Sequence, residues 1–106
     1  MTETIDLTTV RVTDFRPHLN SDFTVQSEDQ TEVVDLTLIE TSEYPRHAPE
    51  AAAQRQQPFG LIFKCTSRVL PQGIYRLEHP VLPACEIFLS PFEGGRDWCK
   101  LEAIFN

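Results

Sequence analysis

Three histidines (His18, His47 and His79) and three cysteines (Cys65, Cys85 and Cys99) are the side chains here best suited to zinc or to nucleophilic chemistry. Zinc sites usually draw ligands in close pairs, C-x₂-C or H-x₃-H, because one turn then delivers two donors. These six residues are far apart and form no such pair. Cys65 and His79, helped by Glu78, would make a nucleophile and base across neighbouring strands. Successive residues of a strand point to opposite faces, however, so Glu78 and His79 should not serve one site. No serine stands in a G-x-S-x-G elbow. Asp35, Glu40 and Glu86 offer carboxylate pairs for acid–base work, but among 16 acidic residues such pairs arise cheaply. Gly94-Gly95 lacks the Lys-Ser/Thr that completes a phosphate loop. The expectation is no catalytic residue, no metal site and no cofactor.

Charge argues against a nucleic-acid partner. Residues 1–50 carry 11 acidic and 3 basic side chains, against 5 and 6 in residues 51–106. An acidic half repels phosphate backbones. Binding single strands would also need aromatic and basic residues interleaved on a strand face, and Tyr75-Arg76 alone does not supply that. Three widely spaced cysteines do not make a disulfide framework, and no apolar run suggests a leader or a membrane span. A cytoplasmic protein with free thiols and no membrane contact is expected.

The elements that must position these residues are strands. Phe23–Gln26, Glu32–Thr41, Phe59–Cys65, Ile74–His79, Cys85–Ser90 and Cys99–Asn106 each alternate apolar with polar residues. On that alternation all three cysteines face inward and pack as small apolar groups. Ser27–Gln30 and Leu70-Pro71-Gln72-Gly73 read as turns, and Pro91–Asp97, with Gly94-Gly95, as a hairpin loop. Thr13–Asn20 reads as one short helix or 3₁₀ turn, with Thr13 or Asp14 as its cap and Asn20 as a left-handed terminator. Residues 1–12 are an extended lead-in, and residues 42–58, with three prolines and an Ala/Gln run, a long mobile loop. Six strands at hairpin spacing with almost no helix predict a single mainly β domain over 1–106. Its strands would form a small antiparallel barrel or a tight sandwich.

Outward positions then carry whatever the chain recognises. Arg76 and Glu78 share the outer face of one strand, and Phe88 and Trp98 are aromatics placed to anchor a partner. His47 or Arg96 would extend the polar strip from loops. A protein partner is therefore expected, with Arg76, Glu78, Phe88 and Trp98 as interaction residues. The alternative is a small-ligand barrel whose mouth is lined by Tyr75, Phe63 and loop 42–58.

The second half also carries a resemblance. Pro58–Phe63, Leu70-Pro71-Gln72-Gly73-Ile74-Tyr75-Arg76-Leu77-Glu78-His79-Pro80, Phe88–Pro91 and Leu101–Asn106 together resemble a family of small bacterial β proteins. Phe15–Asn20 and Val34–Glu40 fit it more loosely, so the likeness spans about residues 13–106. Pro83-Ala84-Cys85 and Trp98-Cys99 depart from its pattern. The family has no assigned activity and no defined catalytic residues. Its members are similar to proteins encoded beside phage-tail-like or tail-collar components. That implies a non-enzymatic structural or interaction domain, an accessory component of such an assembly.

Overall fold

The computed structural model describes residues 11–27, 29–43 and 58–105. The lead-in up to residue 10, His47 and nearly all of the 42–58 loop lie outside the described residues, as does Asn106. The order is α1 (Val12–Phe15), a 3₁₀ turn (Arg16–His18), then β1 (Asp22–Gln26), β2 (Val33–Glu43), β3 (Phe59–Cys65), β4 (Gly73–Leu77), β5 (Cys85–Gly94) and β6 (Cys99–Phe105). All six predicted strands are present, and all pair antiparallel.

They form one sheet in the order β1-β2-β3-β6-β5-β4. The sheet curls until its two edge strands meet at a single pair, Thr24 and Glu78. This is a nearly closed barrel, and of the two expected architectures the sandwich is excluded. Alternation explains the curl. Phe23, Val25, Leu36, Leu38, Leu61, Phe63, Leu77, Leu89, Leu101 and Ala103 all turn inward and are buried, and among the described residues no helical layer covers the apolar face. Cys65, Cys85 and Cys99 are free thiols and buried, as their inward positions require. Two bulges bend the strands. One falls between Leu38 and Glu40, the other between Pro91 and Glu93.

Side chains from outside the sheet close both ends. At one end Phe15 of α1 lies against Phe59 and Phe105, with ring centroids 6.1 and 5.8 Å away. Those two rings stack on each other at 4.5 Å across the β3–β6 pair. At the other end Leu70 is fully buried and its N–H donates to Cys99 Sγ at 3.5 Å. Cys99 faces Cys65 directly across β3 and β6.

Four local readings need correction. Arg11, not Thr13 or Asp14, caps α1; Asp14 lies inside the first turn and its carboxylate accepts the Arg11 N–H at 2.8 Å. Asn20 does hold a left-handed φ of 69°. Strand β5 runs on to Gly94, so Pro91 lies in a strand and not in the loop. The bulge there tolerates a residue with no N–H to give to the ladder. Strand β4 ends at Leu77, so Glu78 stands in the closing pair and His79 beyond the strand. Phe63 is fully buried beneath Phe23, and Tyr75 is nearly so, with its hydroxyl bonded to the Pro71 carbonyl at 2.6 Å. Phe63 therefore fills the barrel interior and does not line a mouth.

Candidate functional site

The closing seam is where the backbone is least committed. Thr24 and Glu78 exchange both N–H···O=C bonds at 2.9 Å. Among the described residues this is the whole ladder between β1 and β4. Strand alternation aims the N–H and C=O of Gln26, Ile74 and Arg76 into the same gap, where the next rungs would be. Among the described residues those rungs are missing, because both strands are held elsewhere. The β1–β2 turn draws Ser27 toward β2, through its N–H to the Glu32 carbonyl at 2.8 Å. Asp29 braces that turn, accepting from Ser27 Oγ, Thr31 N and Thr31 Oγ1, and these bonds pull its carboxyl down to about 2. At the facing end, the Tyr75–Pro71 bond holds the start of β4 against its own turn.

The strands therefore diverge into a groove of about 630 Å³. Its floor is Val25 and Tyr75, and its rims carry Gln26, Val33, Ile74 and Arg76. Val33 and Ile74 are 69% and 75% exposed, high for such apolar side chains. Phe88 lies directly across from Ile74 on β5 and is 51% exposed, so a small apolar strip borders the groove. Arg76 Nε meets Glu78 at 3.3 Å and its Nη1 meets Glu86 at 3.9 Å. All three side chains are exposed.

On the other side of the Thr24–Glu78 pair a second hollow, of about 520 Å³, is bordered by Asp22, His79 and Leu82. His79 is the latch there. Its Nδ1 accepts the Val81 N–H at 3.0 Å and, more weakly, the Leu82 N–H at 3.4 Å. The neutral ring must then carry its proton on Nε2, which donates to Ser21 Oγ at 3.1 Å. The Ser21 hydroxyl in turn donates to the His18 carbonyl at 2.7 Å. His18 and Phe23 flank the imidazole, at 4.6 and 4.5 Å between centroids. Burial first, and the nearby His18 second, hold its pKa below the usual histidine value.

Sequence reasoning missed the meeting of Ser21 and His79, which looks at first like a catalytic dyad. The hydrogen bonds run the wrong way for one. With two backbone amides on Nδ1 and the proton on Nε2, the ring has no lone pair to take the Ser21 proton. Cys65 is not near this histidine in the sheet order, because β3 and β4 are not neighbours. Burial raises the Cys99 thiol and pushes Cys85 up to about 11. Such thiols are poor nucleophiles. Among the described residues no three His, Cys, Asp or Glu side chains gather into a metal site.

The structure thus brings Arg76, Glu78 and Phe88 together on the outer face of β4 and β5. It does not bring Trp98 there. That ring is half-buried over Gly95, with Lys64 Nζ 5.4 Å above it. Arg96 is exposed in the same β5–β6 hairpin. Ile74 and Val33 were the missed members of the site. Ile74 sits opposite Tyr75 and Leu77 in the alternation, and that outward position was its signal.

No curated protein and no solved structure matches the chain. One family profile does, over residues 10–105, and its description is Domain of unknown function (DUF6916). Because that match covers nearly the whole sequence, the chain belongs to the DUF6916 family.

Proposed function

We propose that this protein is a non-enzymatic interaction domain that receives an extended segment of another protein at the β1–β4 seam. The observation behind this reading is the unfinished ladder beside Thr24 and Glu78. Open strand edges are templates for pairing, and proteins normally blunt or cover them. Here the edge is instead flanked by exposed apolar side chains, Ile74, Val33 and Phe88. Strand addition takes affinity from main-chain hydrogen bonds and specificity from the alternate side chains alongside. The packed interior argues against the small-ligand barrel, since Phe15 and Leu70 stopper its two ends. The gene neighbourhood implied by the family resemblance suggests where such a domain works, as an accessory component of a phage-tail-like assembly.

The test is site-specific photo-crosslinking in cells that make the protein naturally. A benzophenone side chain at position 74 should give a discrete adduct with one partner. The same probe at Ile104, also exposed on β6 but far from the seam in strand order, should not. Equal labelling from both positions would contradict the assignment.

A further inference from the structure

Deepening the strand-addition reading, on which it rests, we infer that the segment received at the seam is basic, with lysine or arginine flanking a β-branched or aromatic residue. Four outward carboxylates surround the seam: Asp22, Asp35, Glu78 and Glu86. Asp35 stands across from Thr24, the residue that closes the barrel. Among the described residues one guanidinium, Arg76, answers them, and it is already shared between Glu78 and Glu86. An incoming strand pairing with Ile74 and Arg76, up to the Thr24–Glu78 pair, would set its outward side chains beside these acids and beside Ile74. Opposite charges side by side on neighbouring strands attract, and like charges repel. Facing inward, the same strand meets Val25 and Tyr75.

A second copy of this chain fits poorly among the described residues. Its outward lysines, Lys64 and Lys100, face each other on β3 and β6. Both edges of each of those strands are already paired within the sheet. Neither can be offered as an added strand, which favours a different chain as the partner.

Fluorescence anisotropy on the full-length protein tests this with three labelled eight-residue peptides. One alternates threonine and valine with lysine at each end. The second replaces the lysines with glutamate, and the third keeps the lysines but replaces the valines with proline. Exposed ion pairs contribute up to roughly five-fold each, so the lysine peptide should bind about ten-fold tighter than the glutamate peptide in low salt. That preference should shrink toward unity as salt screens the charges. Substituting Glu86→Gln should reduce it about three-fold. This change leaves the Thr24–Glu78 pair intact, so a lost preference would not come from an opened barrel. Adding Glu78→Gln should reduce it further. If the lysine and glutamate peptides bind equally, or the glutamate peptide binds tighter, the basic partner is wrong while the strand-receiving seam stands. If neither binds, or the proline peptide binds as well as the lysine one, strand addition itself is overturned, and this inference with it.

Discussion

Replacing His79 with alanine removes the clasp beside the one pair that closes the barrel. The imidazole makes two good hydrogen bonds, from Val81 N–H and to Ser21 Oγ. Each contributes about 1 kcal/mol net. The contact with the Phe23 ring at 4.5 Å adds roughly 0.5–1.5 kcal/mol. The Leu82 bond, at 3.4 Å, is too long to count for much. The expected loss for His79→Ala is therefore about 2.5–3.5 kcal/mol, a large part of the roughly 5–15 kcal/mol a domain has. In urea the midpoint should fall with m unchanged. In a thermal scan Tm should drop by on the order of 10 °C. His79→Phe keeps the ring contact and loses both bonds, so it should fall in between. The native protein also gains a pH signature. Unfolded, His79 titrates near its ordinary value of about 6.5; folded, its pKa is lower. Between those values the unfolded chain binds more protons, so stability is level above about pH 6.5 and declines as the pH falls toward the folded pKa. Structurally, a proton on Nδ1 would point at the Val81 N–H. The decline should be shallower in His79→Ala. A loss below about 0.5 kcal/mol, with an unaltered pH slope, would refute this account of the latch.

Phe15→Ala unstoppers the α1 end of the barrel and should cost about 3–5 kcal/mol in urea unfolding, as large core truncations do. The three thiols should react with an aromatic disulfide reagent only as fast as the protein unfolds, because all are buried and burial raises Cys85 and Cys99. Rapid labelling of even one thiol in the folded protein would contradict the packing. Gly95→Ala would put a Cβ 2.5 Å from Trp98 Nε1, so the ring must swing off its glycine shelf and away from Lys64. Trp98 is the chain's sole tryptophan, and its emission should shift to the red with little change in the thermal midpoint.

What the sequence revealed and what it hid divide along one physical line. Alternation is local, so Phe59–Cys65 and Cys99–Phe105 were legible as strands, and the inward placing of Cys65, Cys85 and Cys99 came with them. The outward pairing of Arg76 and Glu78 was legible for the same reason. Pro91 misled because a proline ordinarily ends a strand, and only the bulge beside it makes one tolerable. The seam was not legible at all. It depends on how far β1 and β4, about fifty residues apart, zip together once the sheet has curled. No local pattern in Phe23–Gln26 encodes that Thr24 pairs and Gln26 does not. The His79 latch is hidden likewise, since Ser21 is 58 residues away. Trp98 was an attractive anchor by type, yet Gly95 and Lys64, supplied by the turn and by β3, cover much of it.

The open seam is the claim from which the functional reading follows, and residue-resolved amide hydrogen exchange on the free protein measures it directly. The N–H groups of Gln26, Ile74 and Arg76 should exchange orders of magnitude faster than those within β3 and β6. Thr24 and Glu78, bonded to each other, should be protected. A bound strand should slow the three fast amides and few others. If Gln26 and Arg76 are protected in the free protein as strongly as Thr24 and Glu78, the barrel is fully zipped and the seam does not exist as a site.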